Sequence, residues 1–254
     1  ELWKSDGTEA GTVRVRDISH GGRGSAPALM KDVGGVLYFV ADDGWTGKEL
    51  WKSDGTEPGT VRVRDIKPGI GSSYPDALVN ADGQLYLVAS DGVVGSELWK
   101  SDGTEAGTVL VKNIHTNGIY EGSSSPYTLF PWGRRLLLRA DDGLGKGAEL
   151  WKSDGTTAGT VMVMDINPGS GSSVLWEFAR VGDSVFFAAD DGTGFKLWKT
   201  NGSASGTVRV ANVHPSYLFA VGDTLFFQGN TPEGDRELWK SDGTEAGTVR
   251  VRDI

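Results

Sequence analysis

Short apolar runs separated by Gly- and Asp-rich breaks set the rhythm of this chain. One unit shows the pattern: residues 27–35 hold Ala28, Leu29, Met30 and Val33, residues 36–41 are apolar almost throughout, and residues 49–53 and 60–66 follow. These runs are rich in β-branched and aromatic residues, and Gly-Gly, Asp-Asp-Gly and Asp-Gly-Thr stand between them, so four strands, A to D, are predicted. Gly breaks a strand because it reaches φ > 0, and Asp because its carboxylate bonds its own backbone. No segment carries a helical period. Strand B, apolar on both faces, belongs inside, whereas strand D alternates Val61 and Val63 with Arg62 and Arg64, as an edge kept from pairing by charge would.

The unit repeats. A phrase close to Glu-Leu-Trp-Lys-Ser-Asp-Gly-Thr-x-x-Gly-Thr occurs six times, with tryptophans at Trp3, Trp51, Trp99, Trp151, Trp198 and Trp239, spaced by 48, 48, 52, 47 and 41 residues. Such a period predicts a propeller or a solenoid. Four-stranded antiparallel sheets stacked radially make an all-β propeller of about four to eight blades, the preferred architecture here. One domain is expected over 1–254, with an outer C–D hairpin at 1–18 and blades at about 19–66, 67–114, 115–166, 167–213 and 214–254. A–B pairs number five and C–D hairpins six, because residues 1–18 and 237–254 are identical. One hairpin is therefore surplus. A closed five-bladed ring is the preferred count, and either terminal hairpin could complete its fifth blade, the N-terminal one by pairing with the last A–B strands. The duplicated ends and the absence of an initiator Met also suit a segment of a larger ring or array.

Composition narrows the function classes. With no cysteine among 254 residues, disulfides and Cys-ligated metal centres are excluded. A net charge of -9 argues against nucleic-acid backbones and favours cations, polysaccharides or basic surfaces. No apolar run reaches the 18 or so residues of a membrane span. The balance agrees with an extracellular all-β domain.

The repeated phrase resembles the bacterial ELWxxDGT repeat family of secreted or surface-attached, hyalin-like proteins. The likeness covers essentially the whole chain, although unit four departs from it with Lys196 for Glu, Asn201 for Asp and Ser203 for Thr. It implies a propeller architecture and an extracellular or cell-surface location. The phrase also looks like the Asp-box of sialidase-type propellers, a structural likeness that carries no chemistry. Its own residues read as structural: Asp54 and Thr56 cap a turn about Gly55, and Leu50 and Trp51 fill the space between blades.

Function is sought where the symmetry breaks. The position of Ala28 becomes Asp76, Tyr127, Trp176 and Ser216 in later units, and the next runs Leu29, Ala77, Thr128, Glu177 and Tyr217. The position after that stays apolar (Met30, Leu78, Leu129, Phe178, Leu218), as core does. The D–A and B–C loops emerge on one face, which also carries Trp45, Tyr74, Tyr120 and Phe195. Aromatic rings stack on sugar C–H faces and carboxylates take hydroxyls, so a lectin-like ligand site of Trp45, Tyr74, Asp76, Tyr127, Trp176, Glu177 and Tyr217 is expected at the channel mouth. The alternative is that Tyr127 and Trp176 plug the channel. No catalytic residue and no cofactor is assigned. Asp42-Asp43, Asp141-Asp142 and Asp190-Asp191 could hold Ca²⁺ but lack the spacing of a calcium loop and suit turn caps better. His20, His115 and His214 sit too far out on separate blades to share a metal. The rival readings are a glycoside hydrolase using Asp76, Glu177 and Glu121, and a structural scaffold that self-associates through the surplus terminal hairpin.

Overall fold

In a computed structural model that describes residues 1–117, 122–230 and 234–252, every regular element is a β-strand. A two-stranded hairpin, β1 (Leu2–Lys4) and β2 (Val13–Arg16), comes first. Five four-stranded sheets follow, each in chain order A-B-C-D. Blade 1 is β3 (Ala28–Val33), β4 (Val36–Asp42), β5 (Lys48–Ser53) and β6 (Val61–Arg64); blade 2 is β7 (Asp76–Ala81), β8 (Gln84–Ser90), β9 (Ser96–Ser101) and β10 (Val109–Lys112). Blade 3 is β11 (Tyr127–Trp132), β12 (Arg135–Asp141), β13 (Ala148–Ser153) and β14 (Val161–Met164). Blade 4 is β15 (Trp176–Val181), β16 (Ser184–Asp190), β17 (Phe195–Thr200) and β18 (Val208–Ala211). Blade 5 is β19 (His214–Val221), β20 (Thr224–Asn230), β21 (Arg236–Ser241) and β22 (Val249–Arg252). All pairings are antiparallel, and the A strands of consecutive blades contact one another along the inner edge.

The pleat explains the core. Strand B turns alternate side chains toward the two flanking blades, so both sets must be apolar. In blade 1, Phe39, Ala41 and Trp51 face forward onto Leu2, Val15 and Ile18 of the hairpin. Tyr38, Val40, Leu50, Val63 and Ile66 face back onto Leu78, Leu85, Leu87, Ala89 and Trp99 of blade 2. The same pairing of a Leu-Val back with a Trp front recurs between blades 2 and 3, 3 and 4, and 4 and 5. The expected filling of the inter-blade space by Leu50 and Trp51 is what forms.

Two details differ from expectation. Residues 237–252 complete blade 5, and the N-terminal hairpin, instead of pairing with β19–β20, covers the front of blade 1. That is the place a closing fifth blade would need, and the five hydrophobic clusters of the described residues stop at blade 5. The blades therefore form an open arc rather than the closed ring. Met30, placed with the core by its alignment with Leu78, is exposed. The hairpin in front of blade 1 has only outer strands and brings nothing to cover the inner one.

Candidate binding face

The repeated phrase is committed to the fold. In blade 1 the Asp54 carboxylate accepts from Thr56 N at 2.8 Å and Thr56 Oγ1 at 2.7 Å, Thr56 Oγ1 accepts from Gly59 N at 3.0 Å, and Thr60 Oγ1 donates to Thr56 O at 2.6 Å. The threonine hydroxyl and the backbone N–H, in that order, hold the Asp54 carboxyl below its usual range. A β-carbon on Gly59 would collide with that carboxylate, which is why the second glycine of the phrase recurs. Unit four keeps these bonds with Asn201 and Ser203 in place of Asp and Thr. Its departures from the phrase leave the turn intact.

The phrase's glutamate has a role that sequence reading missed. Glu49, fully buried, accepts from Ile66 N at 3.0 Å, Ser73 N at 2.9 Å and Ser73 Oγ at 2.6 Å, tying strand C to the end of strand D and to the D–A loop. Glu97 does the same with Ile114 and Ser124, and Glu1 with Ile18 and Ser25. Burial raises the carboxyls of Glu49 and Glu97, and takes Glu149 to about 7. The signal lay in the sequence: a serine recurs in each D–A loop (Ser25, Ser73, Ser124, Ser173), and the loop after blade 4, where Lys196 replaces the glutamate, has none.

Where symmetry breaks, the backbone is unusual. One residue near the start of every A strand is left-handed, the second in blades 1 to 4 and the fourth in blade 5: Leu29 (φ 53°), Ala77 (50°), Thr128 (55°), Glu177 (55°) and Tyr217 (55°). Each coincides with a register shift against strand B. A second left-handed residue precedes the first four A strands, at Ala26, Tyr74, Ser125 and Val174. Non-glycine residues held at φ > 0 cost about 1–2 kcal/mol each and concentrate at ligand sites. At these bulges Ala28, Leu29, Asp76, Tyr127, Thr128, Trp176 and Tyr217 are exposed, and Ala77, Glu177 and Ser216 half-buried.

The predicted site residues fall into separate places on this face. Tyr74, Tyr127 and Tyr217 are exposed, Tyr217 at 73%. Trp45 is displayed by a turn in which Asp43 Oδ1 accepts from Trp45 N at 2.9 Å and Thr46 N at 2.8 Å. It lines a cleft of about 250 Å³ with Arg23, Asp42, Ile70 and Ser72. The equivalent turns display Val93 and Leu144, exposed apolar residues that a search for aromatics passed over. Trp176 is 41% exposed, with its ring 5.1 Å from Phe195 and 6.1 Å from His214, so it is partly packed and partly free. Burial first, then Lys196 and Arg236, lower the His214 imidazole.

The two carboxylates have partners of their own. Asp76 Oδ1 accepts from Ala77 N at 2.7 Å, and Glu177 Oε2 accepts from Leu218 N at 3.3 Å, linking blades 4 and 5. Asp42, Asp43, Asp141, Asp142, Asp190 and Asp191 cap the B–C turns. Among the described residues no three His, Asp or Glu side chains form a group that could hold a metal. Tyr120 and Glu121 lie outside the described residues.

No protein-family model and no curated protein matches the chain. Solved structures do match in fold. A puromycin hydrolase aligns with a TM-score of 0.57 at 15% identity, over 99% of this chain and 42% of that one. A prolyl endopeptidase gives 0.57 at 13% identity over 96% and 36%, and oligopeptidase B from Leishmania major 0.53 at 13% over 99% and 37%. This chain thus spans less than half the length of those structures. At such identity the likeness carries the fold alone: the chain is an all-β protein of propeller blades.

Proposed function

We propose that this chain is a non-enzymatic, extracellular binding module of ELWxxDGT type, which recognises carbohydrate or another surface ligand along its inner D–A/B–C face. The observation that carries this reading is the contrast within each unit. The turn of the phrase repeats the same bonds from unit to unit, while the left-handed bulge of the A strand shows Leu29, Ala77, Thr128, Glu177 and Tyr217 at one geometric position. A scaffold that holds five different side chains in one strained conformation is built to present them. Exposed Tyr127, Trp176 and Tyr217 supply stacking surfaces for sugar rings. Glu177 accepts from the backbone of blade 5 and Asp76 from its own bulge, contacts that favour a structural part for both carboxylates. The peptidases that share the fold lend no activity to this chain.

The test is a glycan and polysaccharide panel, with and without Ca²⁺, on the wild type and on Tyr127→Ala and Tyr217→Ala. Saturable binding that weakens about tenfold, roughly 1.4 kcal/mol, in either variant at unchanged melting temperature is expected. Binding to no member, or binding indifferent to both variants, would sink the reading.

A further inference from the structure

The junction between the first D–A loop and the B–C turn of blade 1 is built differently from the next three. In those, a long side chain at the head of the loop is wedged between two glycines. Lys67 lies against Gly71 of its own loop and Gly92 of the facing turn, His115 against Gly122 and Gly143, and Asn167 against Gly171 and Gly192. A β-carbon on any of these glycines would meet the wedge at 3.0 Å or less. Before blade 1 the wedge is Ser19, buried and short, with its Oγ 3.5 Å from a β-carbon on Gly44. The loop glycine is replaced there by Arg23, a side chain that a lysine or histidine at position 19 would exclude. The tip of the facing turn, Val93, Leu144 and Thr193 in later blades, is Trp45. Three departures from the repeat therefore meet at one place.

Without the wedge, Ser19, Arg23, Asp42, Trp45, Ile70 and Ser72 bound the cleft of about 250 Å³. That is below the roughly 300–1,000 Å³ of pockets for drug-sized ligands and suits a single sugar ring. Trp45 is 72% exposed, and the turn that displays it is fixed by Asp43, which Arg62 holds at 3.4 Å. An exposed indole on a fixed turn offers a flat apolar surface to the C–H face of a pyranose. Asp42 Oδ1 accepts from Gly44 N at 2.8 Å, which leaves Oδ2 to accept from a hydroxyl. Exposed Arg23 brings a planar fork of donors whose geometry matches a carboxylate.

We propose that this cleft binds a pyranose that carries a carboxylate, a uronic acid residue, with its ring on Trp45, its carboxylate on Arg23 and a hydroxyl on Asp42. The proposal rests on the carbohydrate reading above and adds the charge of the ligand and a site on blade 1, whereas Tyr127 and Tyr217 stand on blades 3 and 5. The net charge of -9 opposes the approach of a polyuronate, so the ligand is a glycan with isolated acidic residues.

The experiment titrates the full chain with methyl β-glucuronide and methyl β-glucoside, which differ only in carboxylate against hydroxymethyl, followed by ligand-observed NMR at millimolar concentrations. The wild type should bind the glucuronide about tenfold more tightly, the gain of one charge-assisted pair. Arg23→Gly, the residue of the later loops, should bring the glucuronide down to the glucoside and leave the glucoside unchanged. Trp45→Val, the residue of blade 2, should weaken both sugars about tenfold. Ser19→Lys combined with Arg23→Gly rebuilds the wedge and should bind neither sugar. Circular dichroism and melting temperature confirm that each variant folds. Equal affinity for the two sugars, or a glucuronide indifferent to Arg23→Gly, would overturn the proposal. Glycans that bind through Tyr127 or Tyr217 and ignore Arg23 and Trp45 would overturn it while leaving the proposed function standing, and binding to no glycan would overturn both.

Discussion

At the scale of single residues, the buried glutamates set the pH response. Glu149 keeps the bond from Ile166 N at 2.7 Å, but Ser173 Oγ donates to Ala148 O instead, and the Glu149 Oε1 atom is buried without a partner. Burial outweighs the hydrogen bonds near it, and with the charge of Asp165 takes its carboxyl from 4.5 to about 7. A carboxyl whose folded value is raised binds its proton more tightly in the native state. Its stabilising contribution is therefore full below about 4.5 and is lost as pH rises to about 7. Glu149→Gln, which can still accept from Ile166, should flatten the stability profile across that window and melt higher than the wild type at pH 8. Urea unfolding at pH 5, 6, 7 and 8 measures this, and an unchanged slope would mean that the wild-type carboxyl is already ionised. The turn residues Asp54 and Thr56 were legible because Asp-Gly-Thr has a local mechanism. Glu49 was not, since its partners Ile66 and Ser73 lie 17 and 24 residues away and only the joint loss of Glu and Ser in unit four betrays them.

Elements repeat the contrast between what is local and what is not. Strand order was readable from alternation: an all-apolar B and a Val-Arg D can be arranged in few ways. The A-strand bulge was visible only as variability, because Leu, Ala, Thr, Glu and Tyr give no hint of φ > 0, a conformation that favours glycine. Ala77 has φ 50° and no side-chain bond to lose, so Ala77→Gly should relieve about 1–2 kcal/mol of strain. The freer unfolded chain returns about 0.4–1 kcal/mol, leaving a net gain of roughly 0.5–1 kcal/mol. Chemical denaturation against the wild type checks it, and a net loss would mean that the bulge is unstrained at this position. The opposite sign is expected two strands away. Trp99 is buried between blades 1 and 2, with Arg64 over its ring at 5.9 Å, so Trp99→Ala should cost about 3–5 kcal/mol.

For the whole molecule, an open arc in which each blade packs on its two neighbours behaves as a one-dimensional array, whose stability is a sum of unit and interface terms. Blade count and hairpin surplus were legible from the repeats, but the choice between ring and arc was not. It turns on whether two identical hairpins compete for the front of blade 1, and identical sequences cannot say which one sits there. The arc has a thermal consequence that a closed ring lacks. In a ring every blade has two covered faces, so a damaged blade is supported from both sides. In the arc, loss of the middle blade parts the remainder into two pieces. Trp151 lies in blade 3, buried against Tyr86, Leu98 and Val111 of blade 2. Trp151→Ala should therefore split calorimetric unfolding into two transitions or lower the ratio of van't Hoff to calorimetric enthalpy, while Trp3→Ala, at the open end, should leave a single wild-type transition. Equal cooperativity in the two variants would show that the blades couple around a closed circuit instead.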